Sequence, residues 1–236
     1  RIIIIVMTES VAVQFKQQFP ILPLPETILL PHTIMPLSVF EPRYKQLVDH
    51  ALDGSGQIAL ATYIDDSSAP NLEPNSPIRK AVCLAQAIQH EKAGGGFHLM
   101  LYGLCRATIM SEESPTGDVL YRRATLHPLE KAKEELDDIY RTELLHMLFR
   151  PNLSRLENHG SILDWVNEPS LTDEALFELV GCTVFDDAEL RYALLSEPSS
   201  EVRSKRVLSE LANLDRMLTI VDKHITEPKD SGITLN

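Results

Sequence analysis

Few residues in this chain are spaced for chemistry. A phosphate-cradling loop needs a glycine followed by lysine and a hydroxyl residue, and none of the 10 glycines precedes a lysine. Gly-x-Ser-x-Gly, His-Glu-x-x-His and Cys-x-x-Cys do not occur, which removes the commonest signatures of serine hydrolases, zinc peptidases and paired cysteines. Cys83, Cys105 and Cys182 are odd in number and far apart. They read as small apolar core residues of a chain kept in a reducing cytoplasm. The 8 histidines are scattered, and His32, in a Leu-Pro-His turn, reads as a locally bonded loop residue. Arg43 and Arg106 are cations set among apolar neighbours. Each is expected to pair with a carboxylate or a backbone carbonyl inside the fold, with Glu41 a candidate partner for either. The residues point to no catalytic group, no cofactor and no metal.

The charge narrows the partners. The chain has 236 residues, 44% hydrophobic and 24% charged, with a net charge of -12, the profile of a globular protein with a sizeable core. Residues 1–128 hold 12 acidic and 10 basic side chains, and residues 129–236 hold 22 and 12. Neither half offers the basic face that phosphate contacts require, so nucleic acid is not an expected partner. No apolar run is long enough to span a bilayer, so no membrane is expected either. Residues 1–6 are too short an apolar run for a signal sequence, and Met7 is a candidate start.

Residues 19–44 organise the rest. They hold Pro20, Pro23, Pro25, Pro31 and Pro36 between short apolar runs. Proline lacks the N–H that a ladder needs, so the stretch predicts broken strands at 21–22, 27–30 and 33–37, joined by turns. Pro42 suits the first turn of a helix, and Tyr44, Leu47, Val48, Ala51 and Leu52 follow at helical spacing. Further strands are expected at 57–64, 81–90, 97–104, 105–110 and 119–126. Gly94-Gly95-Gly96 turns a hairpin, and Gly103 marks a bend. Beyond Pro128 the pattern is helical: 129–149, 171–180, 186–195 and a long helix after Pro198, whose Ser199 and Ser200 can cap it. In that helix Val207, Leu211, Leu214, Leu218 and Val221 form a narrow seam. Packing in a bundle explains the seam most simply, with a weak homodimer as the alternative.

Several stretches resemble one family. Leu22-Pro23-Leu24-Pro25, Leu30-Pro31-His32, Met35-Pro36-Leu37 and Phe40-Glu41-Pro42-Arg43-Tyr44 are similar to the opening of the Lon protease N-terminal (substrate-binding) domain, with stand-alone bacterial versions the nearest in kind. Gly103 to Ile109 resembles the family's Gly-Leu/Val-x-Arg-hydrophobic strand, and Leu194 to Pro198 with the leucines after it resembles its closing helices. The resemblance makes Pro31, Pro36, Glu41, Pro42, Arg43, Gly103 and Arg106 the structural family motif. It implies an α+β fold: an N-terminal PUA-like β pseudo-barrel with one helix, followed by a C-terminal α-helical bundle. The expected organisation is a barrel over 17–128, helices over 129–225, and terminal extensions at 1–16 and 226–236. It also implies protein or peptide recognition linked to ATP-dependent proteolysis carried out by other chains. Pro228-Lys229-Asp230-Ser231-Gly232 echoes a Lon active-site signature but lacks its full form and a downstream lysine base, and the ATPase and Ser–Lys peptidase modules are not expected in a chain of this length.

A binding surface is therefore the expectation. Residues 97–104 are apolar on both faces, Phe97, Leu99 and Leu101 on one and Met100, Tyr102 and Leu104 on the other. Burial on both sides explains this most simply. The sharper reading makes one face a groove for an extended apolar segment, with Phe40 and Tyr44 flanking it, so Phe40, Tyr44, Phe97, Met100 and Tyr102 are the candidate peptide-binding residues. The cleft between barrel and helices is a second candidate. Expected partners are unfolded or degron-bearing protein segments, or a protease. A PUA-like RNA-binding module is the alternative, opposed by the charge, and a small-molecule enzyme on this scaffold has no convergent acid, base or nucleophile behind it.

Overall fold

A mixed sheet of six strands, closed into a ring, carries one helix of its own and leans on five more. The computed structural model describes residues 11–64, 76–130 and 136–226. The strands are β1 (Gln18–Leu24), β2 (Ile34–Val39), β3 (Gln57–Thr62), β4 (Ala81–Ala93), β5 (Gly96–Glu113) and β6 (Arg123–Pro128), with α1 (Pro42–Leu52) between β2 and β3. Their order is β2-β5-β4-β3-β1-β6, and β6 also pairs with β5, which closes a five-strand ring and leaves β2 on its rim.

The long strand β5 makes this closure possible. Its first half pairs with β2, Phe97 to Tyr102 against Val39 to Ile34. Its second half pairs with β6, Ala107 to Glu113 against Pro128 to Arg123. On its other side β4 runs the whole length of a hairpin, with register shifts at Leu84/Ala85 and Ala87/Gln89. The first shift lies beside Gly103, where the sequence places a bend. Gly94 and Gly95 both have positive φ, 59° and 78°, as a two-residue hairpin turn of matching twist requires.

The prolines sit where one side of a strand is unpaired. In β1, Pro20 pairs only toward β6 and Pro23 only toward β3. Pro36 lies in β2, whose only partner is β5. A missing N–H can then face away from the ladder. Two expected strands differ. Residues 27–30 form none: Leu30 O accepts from both Thr33 N and Thr33 Oγ1, so a local turn takes the backbone group a ladder would use. The strand expected over 119–126 is β6 instead, because Gln46 of α1 binds Leu120 N and Asp118 O.

Residues of all five ring strands meet on one face of the curled sheet: Phe19, Ile21, Ala59, Ala61, Val82, Leu84, Ala107, Ala124 and Leu126. Alternating small and large side chains suit a narrow ring. Val13 and Phe15 pack against the same cluster. The opposite face carries Leu22, Ile58, Leu60, Cys83, Leu99 and Leu101 into a second core shared with α1 and the helical half. Strand β3 is buried along its whole length because it serves both.

After Pro128 come α2 (Ile139–Leu148), a 3-10 turn (Leu153–Arg155), α3 (His159–Val166), α4 (Asp173–Val184), α5 (Ala188–Ser196) and α6 (Ser200–Thr226). Thr172 and Asp187 cap α4 and α5 through the N–H groups of Ala175 and Leu190, supplying donors with the oxygen they otherwise lack. The helix expected from 129 starts at Ile139; residues 131–135 lie outside the described ones, as do the candidate start Met7 and the 228–232 echo. Trp165, Leu176, Leu194, Val207 and Leu211 join the second core, so one apolar mass runs from sheet to bundle. None of the described helices is long and apolar enough to cross a membrane.

Candidate functional site

The first half of β5 separates its two faces sharply. Phe97, Leu99 and Leu101 are 2%, 2% and 0% exposed, whereas His98 is exposed and Met100 and Tyr102 are half-buried. The strand is thus buried on one side only over this half, not on both. Directly paired residues of antiparallel strands point the same way. Ser38, Pro36 and Ile34 of β2 therefore flank His98, Met100 and Tyr102, and Glu91, Gln89 and Gln86 of β4 flank them on the other side. The result is an open, partly apolar strip three strands wide.

Phe40 extends this strip. It follows β2 directly, is 55% exposed, and meets the His98 ring edge-on at 6.0 Å and 80°. Gly96 seats it, since a Cβ there would lie 2.6 Å from Phe40 Cδ1. His98 Nδ1 and Ser38 Oγ are 2.8 Å apart. The Tyr102 hydroxyl lies 3.4 Å from His32 Nδ1, and burial pushes its pKa up. Of the five candidate residues, Phe40, Met100 and Tyr102 share this strip. Phe97 belongs to the core beneath it and presents no area to a partner. Tyr44 lies apart: it lines a narrow cleft with Ile21, Pro23, Leu120 and Tyr121. The Arg43 guanidinium stacks 4.6 Å from its ring centre, and burial and a hydrogen bond with Tyr63 push its hydroxyl pKa up.

The motif residues hold the scaffold together. Arg43 pairs with Glu41 at 2.8 Å. Pro31 is buried, and Gly103 packs so closely on the Leu30–Pro31 backbone that a Cβ would stand 2.3 Å from Leu30 O. Arg106 does not use Glu41. Its Nη1 meets Glu130 at 2.6 Å, its Nη2 meets Glu178 at 2.5 Å, and its Nε donates to Leu194 O at 3.2 Å. Arg203 of α6 joins through Glu178 at 2.9 Å and Glu197 O at 2.9 Å. Arg106, Glu178 and Arg203 are 1%, 3% and 4% exposed, so the network ties β5 to α4, α5 and α6 inside the core. Burial opposes the charge on Arg106, and Glu178 and Glu130 more than offset it. Burial and the neighbouring Arg106 pull the Arg203 pKa down.

Concave regions also lie elsewhere among the described residues. At the sheet–helix junction, Pro25, Ile28, Thr62, Tyr63, Arg79 and Glu189 line a cavity of about 240 Å³. Arg79 binds both Glu189 oxygens and stacks on Tyr192 at 4.5 Å. This is the cleft between barrel and helices that the sequence suggests. A larger groove of about 610 Å³ lies between α5 and α6. Sequence reasoning missed it; the signal available was Val184-Phe185 before an acidic pair, with Met217 on a distant helix. Burial pushes the Cys83 thiol well up and the Cys105 thiol to about 12, which suits packing rather than attack. Among the described residues no group of three His, Cys, Asp or Glu side chains converges on a metal position.

Residues 18–213 match the family model of the ATP-dependent protease La (LON) substrate-binding domain. A Lon protease of Desulfosudis oleivorans (strain DSM 6200 / JCM 39069 / Hxd3) is 22% identical over 223 residues, covering 92% of this chain and 26% of that protein. The chain thus spans about a quarter of the length of this curated relative. Among solved structures, the N-terminal domain of Mycobacterium avium complex Lon protease aligns with a TM-score of 0.58 and 24% identity, over 85% of this chain and 98% of that one. A Lon N-terminal domain protein from Xanthomonas campestris aligns at 0.57 and 18%, over 82% and 98%. At these identities the structures share the fold, and the family model covers most of the chain: it belongs to the LON substrate-binding domain family.

Proposed function

We propose that this chain recognises other proteins by laying an extended, apolar segment of them across the β2–β5–β4 strip, and that it works by binding rather than turnover. The observation that carries this reading is the half-open face of β5. Tyr102 and Met100 stand beside Ile34 and Pro36, and Phe40 lies further along the strip against His98, above a core that fixes their positions. A rigid strip that sets apolar and aromatic side chains among polar ones favours an extended partner, whose alternate side chains face the sheet. Pro36 disfavours simple strand addition at the rim, since an edge proline cannot donate to an incoming strand. Face burial is therefore the mode. The buried charges Arg106, Arg203 and Glu178 are committed to joining sheet and helices. In a family of protease substrate-binding domains, this role would supply proteins to ATP-dependent proteolysis carried out elsewhere.

The test is a fluorescence anisotropy titration with a reduced, alkylated and thereby unfolded protein. The double variant Phe40→Asp, Met100→Asp removes one exposed and one half-buried anchor, both outside the buried core clusters. Its affinity should fall at least about tenfold, or about 1.4 kcal/mol, with the melting temperature unchanged. Equal affinity in a folded variant would move the site elsewhere.

A further inference from the structure

The groove between α5 and α6 is built from an apolar floor under an acidic rim. Val184, Phe185, Leu190, Ala193, Leu214 and Met217 form the floor, and Asp186, Asp187, Glu189 and Glu210 stand around it against a single lining cation, Arg206. Two rim carboxylates are fixed by cations outside the groove, Asp186 by Arg191 and Glu189 by Arg79. Asp187 caps α5.

The floor is open because α6 is held from its other side. Its seam starts inside the core, with Val207 at 1% and Leu211 at 0% exposure, and then climbs to the surface, where Met217 is 58% and Val221 50% exposed. Polar contacts anchor this outer part. Asp215 meets Arg150 at 3.2 Å and Asn152 at 3.0 Å, Thr219 meets Asn152 at 2.7 Å, and Asp222 meets Arg155 at 2.6 Å. At about 100° per residue, Asp215 and Met217 lie on nearly opposite sides of the helix. So Asp215 and Asp222 turn toward the protein together with the half-buried Leu218, while Met217 stays exposed beside the groove.

We propose that this groove is a second binding site, for a protein segment that offers an apolar anchor flanked by lysine or arginine. The anchor fills the space between Phe185, Leu190 and Met217, and the flanking cations meet Asp186, Asp187 and Glu210. Charge selects the occupant. A second copy of this chain brings a net charge of -12 to a rim that is already negative, whereas a basic segment is drawn to it. The site is independent of the β2–β5–β4 strip and does not rest on that reading.

The test uses two labelled amphipathic peptides, one of leucine and lysine and the other of leucine and glutamate, titrated against the full chain. The lysine peptide should bind at least about tenfold more tightly, and should weaken as salt is raised. Met217→Asp and Glu210→Lys should each weaken it by a similar factor or more, and the Phe40→Asp, Met100→Asp variant should bind it normally. Equal binding of both peptides, or no effect of Met217→Asp, would overturn the proposal. So would loss of binding in the Phe40/Met100 variant alone. Dimerisation of the wild type abolished by Met217→Asp, with no peptide bound, would overturn it in favour of a second copy.

Discussion

At the scale of single residues, Arg106 is where sequence and structure agree in kind and differ in partner. Its apolar neighbours in the sequence foretell an internal ion pair, and it makes one. The Glu41 carboxylate, near in the chain to Arg43, meets Arg43 instead. The partner of Arg106, Glu178, comes from α4, and no local pattern marks a contact made by docking two halves. Removing one member of a buried network strands the rest. Arg106→Ala should therefore cost about 3–5 kcal/mol in urea unfolding, with Arg106→Lys between it and wild type; a loss below about 1 kcal/mol would place the network among surface pairs. His32 supplies a pH signature. It occupies left-handed backbone at φ 63°, and burial pulls its pKa below the usual 6.5. The unfolded chain then takes up the proton first, so stability is complete above that value and lost as pH falls below it. His32→Asn, which tolerates the same φ, should flatten the decline of melting temperature between pH 7 and 5, and parallel declines would contradict it.

Elements were legible where periodicity or a glycine decided them. The β4–β5 hairpin, the helix opening at Pro42 and the long helix after Pro198 all stand in the sequence. The limits failed where side chains compete for backbone groups, as Gln46 does before β6 and Thr33 does after Leu30. The two-sided apolar pattern of 97–104 suggested full burial, yet Met100, Tyr102 and Leu104 are only half-buried. A sequence cannot show which of two apolar faces finds a neighbour. Gly103 gives the element-scale prediction. Its N–H donates to Thr33 O and its carbonyl accepts from His32 N, at 3.0 and 2.8 Å, and the turn's backbone fills the space a side chain would need. Gly103→Ala should destabilise by about 1–3 kcal/mol through overpacking, read as a lower urea midpoint with the m-value unchanged; an unshifted midpoint would show that the turn moves freely.

For the whole molecule, one core spans the sheet and the bundle, so the proposed strip rests on a body that resists deformation. The acidic charge is concentrated in the helical half, and the strip lies on the sheet. The two proposed surfaces therefore differ in charge. The family was legible because residues 19–44, with the stretches 103–109 and 194–198, resemble the Lon N-terminal domain in matching order, and the family model covers them all. The site was only partly legible. Phe40, Met100 and Tyr102 lie along one strip, but whether an apolar side chain is exposed or buried depends on packing that spacing alone does not encode, as the core residue Phe97 and the separately placed Tyr44 show. Hydrogen–deuterium exchange with and without a saturating unfolded polypeptide tests the central claim most directly. Binding across the strip should slow exchange in peptides covering residues 34–40 and 97–102 and leave α2 and α3 unchanged. Protection confined to the helices, with those two segments unaffected, would contradict it.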